Sequence, residues 1–206
     1  MKEFWTENVT AKSWLELLSF SKKYDFILIG GWAAYLWTGA QKSKDIDIII
    51  DYDTLNILRK NFTLEKNDRL KKYEIKKGEF DIDIYLPNYS KLAVPIETIN
   101  ENTTKIQGIK VPNPEILVLL KQNAEIERRH SVKGKKDLID IINILIHSGF
   151  SIKKYKELTS KLSIEKYLKE LENEVNLFNF KNVDYVGVSL NEFAKWKRKF
   201  TREIKN

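Results

Sequence analysis

The 206-residue sequence contains no cysteine and only two histidines. Without cysteine, the chain forms no disulfide and offers no thiolate for catalysis or metal binding. Two histidines alone argue against a zinc site. No apolar run approaches the roughly 20 residues that a membrane-spanning helix requires, and the first five residues lack the apolar core of a signal peptide. These absences predict a cytoplasmic protein without a membrane segment.

The composition is that of an ordinary folded protein, with 42% hydrophobic and 32% charged residues. A chain of this length suits one domain with an appendage or two small domains. Its net charge is +7, and residues 181–206 contribute more than half of this excess, since they hold seven lysines and arginines against three acids. The positive charge predicts an anionic partner such as a nucleotide or RNA.

A double glycine follows the first apolar run of the chain. Residues 26–29 have the sequence Phe-Ile-Leu-Ile, which predicts a strand, and Gly30-Gly31 comes directly after them. Glycine allows a tight turn and lets phosphate groups approach backbone N–H groups at the start of a helix. The pair therefore predicts a strand–turn–helix unit able to bind phosphate.

A pair of carboxylates opens the next apolar run, thirteen residues after the glycines. Asp45 and Asp47 flank an isoleucine, and residues two apart on a strand point to the same face. Two neighbouring carboxylates repel each other and lose solvation unless a cation lies between them. Mg²⁺ is suited to this role because hard cations prefer carboxylate oxygens.

A second carboxylate pair occurs in residues 72–86, which predict a β-hairpin with a turn at Lys77-Gly78. Asp81 and Asp83 alternate with apolar residues in its second strand. They would therefore share a strand face, either as further metal ligands or as the solvated face of an edge strand.

The double glycine, the gap and the Asp-x-Asp motif together resemble the signature of the nucleotidyltransferase superfamily. The resemblance implies an α/β fold with a nucleotidyltransferase-like mixed β-sheet flanked by helices. Residues 1–150 would form the catalytic domain and residues 151–206 a helical C-terminal extension. It also implies that a later strand supplies a third carboxylate, with Asp83 as the first candidate and Asp81 as the second.

Two helices are predicted after this region. Asn113-Pro114 is a strong helix start, and this helix should run to about residue 129; a second helix is predicted over 135–148. Asp140 lies within an almost continuous apolar run. Because a buried carboxylate needs a partner, we expect a lysine from the neighbouring helix beside it.

These helices resemble the abortive-infection type of nucleotidyltransferase in the segments 111–121 and 136–140. The resemblance implies functional roles for Lys121 and Asp137. The alternatives are a solvated helix lysine and a first-turn acid that complements the helix dipole.

The same group carries an arginine and a threonine shortly before Asp-x-Asp, where this chain has Gln41 and Ser43. Ser43 keeps a hydroxyl donor, whereas Gln41 cannot replace a cation. Lys42 or Lys44 would have to supply the charge.

The remaining segments predict mainly helices. Ser189 and Glu192 are spaced as a capping box for a final helix, whose basic side either faces solvent or binds RNA. Four further helices are expected over 10–23, 32–37, 53–60 and 163–177, of which the second is stopped by glycine and the third follows the Asp45/Asp47 run. A strand is expected over 105–111 and an extended piece over 183–188.

The sequence therefore predicts a metal-dependent nucleotidyltransferase that moves a nucleoside monophosphate from an NTP to a hydroxyl of RNA, protein or a small molecule, with release of pyrophosphate. Mg²⁺, with Mn²⁺ as the alternative, would be held by Asp45, Asp47 and Asp83. Lys121 would neutralise the triphosphate, and Asp137 would orient that lysine or the acceptor. The phosphate contacts would come from Gly30, Gly31, Ser43 and Lys44.

Two other functions are compatible with the sequence. One is a non-catalytic module of the same fold that binds RNA or a partner of the toxin–antitoxin kind. The other is a metal-dependent nuclease, whose carboxylates would not require the Gly-Gly turn.

Overall fold

A computed structural model describes residues 2–205. Within them, seven strands form one mixed sheet, β1 to β7 along the chain: Ile27–Ile29, Ile46–Ile49, Glu65–Asn67, Lys72–Lys76, Asp81–Tyr85, Thr103–Ile106 and Ile109–Pro112. The helices α1 to α9 span Glu7–Ser21, Gly30–Thr38, Tyr52–Asn61, Ile96–Glu101, Pro114–Arg128, Val132–His147, Ile152–Lys161, Lys166–Leu177 and Leu190–Lys205. This arrangement is the predicted α/β class, a mixed sheet flanked by helices with further helices at the C-terminal end. The division at residue 150 stays a prediction.

The strand order is β3-β4-β5-β2-β1-β7-β6. Strand β2 runs antiparallel to β1 on one side and parallel to β5 on the other. In this register Asp47 lies opposite Ile29 of β1 and opposite Asp83 of β5. The sheet therefore gathers two of the predicted carboxylates next to the Gly30 turn that follows β1.

Alternation along the two central strands fixes the face on which these carboxylates lie. Asp47 and Asp83 alternate with four isoleucines that have no exposed surface: Ile46, Ile48, Ile82 and Ile84. Burying each isoleucine contributes about 2 kcal/mol, and a shift of one residue in register would move all of them to the opposite face. Hydrophobic burial thus holds the carboxylates in place against their own repulsion.

The C-terminal helices share the hydrophobic core of the sheet. The buried apolar residues form one continuous cluster, which extends from Leu17 on α1 to Ile204 on α9. Tyr155 on α7, Leu171 on α8 and Phe193 on α9 are completely buried within it. Among residues 2–205, no helix combines the length and apolar character needed to cross a bilayer.

Several predicted elements differ from the structure. Helix α1 begins at Glu7 rather than at residue 10. Within it, the buried Ser13 hydroxyl accepts a hydrogen bond from Trp32 Nε1 at 2.8 Å. The single strand predicted over 105–111 is two strands, β6 and β7. They are separated by Gln107 and Gly108, whose φ angles of 52° and 82° reverse the chain.

Side-chain capping and helical packing account for other differences. Helix α3 begins at Tyr52 rather than at residue 53, because Asp51 caps it by accepting a hydrogen bond from Thr54 N–H at 2.7 Å. The extended piece predicted over 183–188 is wrong, because a 3₁₀ helix occupies Phe180–Tyr185. Strand β3 and helix α7 were not predicted. The capping box of α9 is confirmed, since Ser189 and Glu192 exchange hydrogen bonds of 2.8 and 3.2 Å.

Candidate functional site

A cavity of about 290 Å³ lies where β1, β2 and β5 meet helices α5 and α6. Nine of the ten site residues predicted from the sequence line it: Gly30, Gly31, Ser43, Lys44, Asp45, Asp47, Asp83, Lys121 and Asp137. The sheet supplies the carboxylates and the glycine turn, and the two helices supply the lysine and its acidic partner. One cavity therefore collects residues that are more than 100 positions apart in the chain.

The two glycines allow the turn after β1 to pack directly against site residues. Gly30 has a φ of +68°, and a Cβ placed on it would lie 2.7 Å from Asp47 Cγ. A Cβ on Gly31 would lie 2.8 Å from Ser43 Cβ. Since real Cβ atoms do not approach so closely, both positions require glycine. Helix α2 starts here, and the preceding Ile29 provides no side-chain cap for its first N–H groups.

The carboxylates of the cavity perturb one another. Burial and, after it, repulsion from Asp83 raise the pKa of Asp47 to about 7, against the opposing positive charge of Lys121. Burial also raises the pKa of Asp83, against the influence of Lys72. Asp47 is thus a carboxylate whose ionised form needs a cation at neutral pH.

Two lysines that the sequence did not single out lie against these carboxylates. Lys72 Nζ is 2.6 Å from Asp83 Oδ2, and Lys133 Nζ is 3.0 Å from Asp45 Oδ2. Among the described residues, the three aspartates do not bring one oxygen each within 4.8 Å of one another. Their oxygens and their shared cavity fit a hard divalent cation in chemistry, but the lysines must move before the three can share one ion.

Asp81 is the one predicted site residue outside the cavity. Its side chain lies 3.0 Å from Lys76 Nζ, and its backbone N–H donates to Asp45 Oδ1 at 3.3 Å. Asp81 and Asp83 share a strand face, as expected, but they are separated by roughly 7 Å along it. Only Asp83 lies in register with Asp47, so a metal-binding role for Asp81 finds no support in this geometry.

Lys121 belongs to a buried ion-pair network between α5 and α6. Its Nζ lies 3.1 Å from Asp137 Oδ1 and 2.7 Å from Asp140 Oδ2. Burial alone would lower the pKa of Lys121, but Asp140 and Asp137 raise it above its usual value. The lysine therefore remains charged, and the predicted partnership of Asp140 with a lysine from the neighbouring helix is confirmed.

Further cations complete this network. Arg128 Nε lies 2.7 Å from Asp137 Oδ2, and Lys136 Nζ lies 2.5 Å from Asp140 Oδ1. Burial raises the pKa of Asp137, but Lys121 and Arg128 outweigh it and hold that pKa below its usual range. Asp137 is therefore a paired, buried anion and not a solvated first-turn acid.

Gln41 and Ser43 have different positions. Gln41 is buried outside the cavity, where its amide donates to the carbonyl oxygens of Lys2 and Tyr185 at 2.8 and 2.9 Å. Gln41 therefore links two segments of the chain and contributes nothing to the cavity. Ser43 lines the cavity and donates to the carbonyl oxygen of Asp45 at 3.1 Å. Of the two neighbouring lysines, Lys44 lines the cavity.

Comparison with known proteins gives a fold and no family. No protein-family model matches the chain, and no curated protein matches it. A solved structure described as JHP933 from Helicobacter pylori is similar, with a TM-score of 0.50 and 17% identity over 97% of this chain and 92% of that chain. An antigenic nucleotidyltransferase-like protein from Paracoccidioides brasiliensis matches with a TM-score of 0.36 and 17% identity, over 81% of this chain and 89% of its own. The first likeness shows a shared fold; at its TM-score, the second supports no conclusion.

Proposed function

We propose that this protein is a metal-dependent nucleotidyltransferase that transfers a nucleoside monophosphate from an NTP to an acceptor hydroxyl. The observation that carries the proposal is the assembly of three features in one cavity. These are a glycine turn with a positive φ at a helix start, carboxylates in register on two neighbouring parallel strands, and a buried lysine kept charged by two acids.

The carboxylates provide the position for a divalent cation. Asp45, Asp47 and Asp83 would hold Mg²⁺ or Mn²⁺, since all their ligand atoms are hard oxygens. A bound ion of this kind neutralises triphosphate charge and lowers the barrier to in-line displacement at the α-phosphorus. The crowding that raises the pKa of Asp47 supports the assignment, because a cation relieves it.

The chain's own groups would bind and orient the triphosphate. The N–H groups of Gly30 and Gly31 lie at the positive end of the α2 dipole and can donate to phosphate oxygens. The Ser43 hydroxyl and the Lys44 ammonium line the same cavity. Lys121 offers a charge that cannot be lost at neutral pH, and Asp137 keeps it in position through the 3.1 Å contact.

One observation favours the non-catalytic alternative. Lys72 and Lys133 already neutralise Asp83 and Asp45, as would be expected if the carboxylates served folding or partner binding instead of metal binding.

Thermal denaturation with each of the four NTPs, with and without Mg²⁺, tests the proposal. At 100 times the dissociation constant, ligand binding adds about 2.7 kcal/mol of stability, which corresponds to roughly 5–10 °C for a chain of this size. The shift should require the metal, disappear in Asp47→Asn and persist in Asp81→Asn, the matched change outside the cavity. Absence of a metal-dependent shift with every NTP would sink the proposal.

Transfer itself is measured with NTP labelled at the α-phosphorus, by following the label into RNA, protein or small-molecule fractions. Metal-dependent NTP binding without transfer to any fraction would favour the binding module.

A further inference from the structure

A second group of carboxylates lies away from the cavity, between α5 and α8. Glu125, Glu170 and Glu174 each offer one oxygen, and these oxygens all lie within 4.8 Å of one another. The contact joins two helices through side chains only: Glu125 comes from α5, and the other two lie one turn apart on α8. Glu125 and Glu174 are buried, while the side chain of Glu170 keeps 23% of its surface exposed, which provides access from solvent.

Glu174 is the unusual member of the group. The residue is 1% exposed, and neither of its carboxylate oxygens has a hydrogen-bond partner within the described part of the chain. The nearby Gln122 amide donates to the carbonyl oxygen of Tyr167 at 3.1 Å, and its oxygen accepts from the Tyr155 hydroxyl. Its influence on Glu174 is to lower the pKa, and burial outweighs it. Buried polar groups without partners are rare in native proteins. The unpaired carboxyl group of Glu174 therefore indicates a ligand at this position.

The local cation does not satisfy Glu174. The Arg129 guanidinium binds both oxygens of Glu125 at 2.8–3.0 Å and also contacts Glu170. Burial and, after it, repulsion from Glu125 together raise the pKa of Glu174 to about 9. One arginine thus faces three acids, and the acid left over is the most deeply buried one.

We propose that Glu125, Glu170 and Glu174 form a binding site for a hard divalent cation, Ca²⁺ or Mn²⁺, which fastens α8 to α5. Three carboxylates are the ligand type that these ions prefer. Mg²⁺ fits less well, because it gives up its water shell reluctantly and demands near-ideal octahedral geometry. Arg129 lies at the end of α5 with a third of its side-chain surface exposed, so it can rotate toward solvent when the ion enters. The site is independent of the proposed transferase function.

Metal binding is measured by calorimetry with Mn²⁺ and with Ca²⁺. To separate this site from the cavity, we use an Asp47→Asn/Asp83→Asn background, in which two of the three proposed metal ligands of the cavity are removed. This background should still bind one Mn²⁺ or Ca²⁺ per chain, and Glu174→Gln added to it should weaken that binding about tenfold or more, because an amide supplies no charge.

Two further variants keep the result interpretable. Glu170→Gln removes a partly exposed ligand with little risk to folding and should also weaken binding. Glu172→Gln, on the same helix but paired with Lys205, should leave binding unchanged. The proposal is overturned if the background binds neither ion, or if binding survives unchanged in Glu170→Gln and in a folded Glu174→Gln. Neither result bears on NTP transfer, which is measured separately.

Discussion

At the scale of single residues, Asp47 shows how the fold sustains an unfavourable charge. The isoleucines on either side of it are fully buried, and their burial holds the carboxylate near Asp83 and Asp45, which both raise its pKa. Hydrophobic packing distributed over two strands therefore outweighs repulsion concentrated on one group.

This repulsion predicts a pH dependence of stability. Because the pKa of Asp47 is about 7 in the folded state and 3.8 by its ordinary value, the folded chain binds the proton more tightly. Its contribution to stability is present below pH 4 and is lost as the pH rises toward 7. The loss should be on the order of 3 kcal/mol, since one pKa unit is worth about 1.4 kcal/mol.

The effect is measured as the difference in the free energy of unfolding in urea between about pH 4.5 and about pH 7.5. Asp47→Asn should lose less stability over this range than the unaltered chain and should be at least as stable at the higher pH. An Asp47→Asn protein that fails to fold would show that the residue has a structural role.

Lys121 gives the opposite expectation, because its removal leaves buried acids without a partner. Lys121→Met should cost about 3–5 kcal/mol, the range observed when one member of a buried ion pair is deleted. The double variant Lys121→Met/Asp140→Asn should recover part of this loss. Lys133→Met, at an exposed lysine, should cost less than about 1 kcal/mol. Urea unfolding of the unaltered chain and the three variants measures these costs. Equal losses of stability in Lys121→Met and Lys133→Met would contradict the prediction.

At the scale of the elements, the turn between β1 and α2 sets how closely the glycine backbone approaches Asp47. Gly30 and Gly78 both have a positive φ, but a Cβ would clash only at Gly30 and would meet nothing within 4 Å at Gly78. Substitution at Gly78 therefore measures backbone strain alone, whereas substitution at Gly30 measures strain together with the clash against Asp47.

We expect Gly78→Ala to cost about 1–2 kcal/mol, the penalty for an alanine in the left-handed region. Gly30→Ala should cost clearly more, since the strain is the same and the Asp47 side chain must also move. Both costs are measured from the shift of the urea unfolding midpoint, provided that the m value stays the same. Similar costs at the two sites would mean that the turn is not tightly packed.

The elements also show how far sequence reasoning reaches. The period-two alternation around Asp47 and Asp83 and the signal at Asn113-Pro114 are local, and each predicted the correct element. The choice between Asp81 and Asp83 depends on the register of β5 against β2, which no local pattern encodes. Lys72 could have been suspected, because it alternates with Glu74 in the strand that pairs with β5.

Other site residues carried no signal at all. Lys133 reaches Asp45 from 88 positions away, and Trp5 and Lys91 line the cavity from irregular segments. Gln41 lies shortly before Asp45 in the sequence, yet its side chain binds two backbone carbonyl oxygens outside the site. Such contacts are decided by tertiary packing, which periodicity and spacing do not contain.

At the scale of the whole molecule, the continuous hydrophobic cluster predicts a single cooperative unfolding transition. Residues 151–206 bury Tyr155, Leu171 and Phe193 in the same core as the strands, so their loss would expose apolar surface of the remaining chain. Calorimetry should give equal calorimetric and van't Hoff enthalpies. Two resolved transitions would instead support independent domains at 1–150 and 151–206.

The ion pairs of Lys72 with Asp83 and of Lys133 with Asp45 affect how a metal ion and a nucleotide would bind together. Under the proposed function, an ion that enters the cavity would displace the ammonium groups of Lys72 and Lys133 from the two carboxylates, which would leave both lysines available to the triphosphate. Binding of the metal ion and binding of the nucleotide should therefore be cooperative. By thermodynamic reciprocity, the ion should raise the affinity for the nucleotide by the same factor as the nucleotide raises the affinity for the ion. Lys72 and Lys133 would thus act as exchangeable counterions, which neutralise the carboxylates until the metal ion and the nucleotide bind.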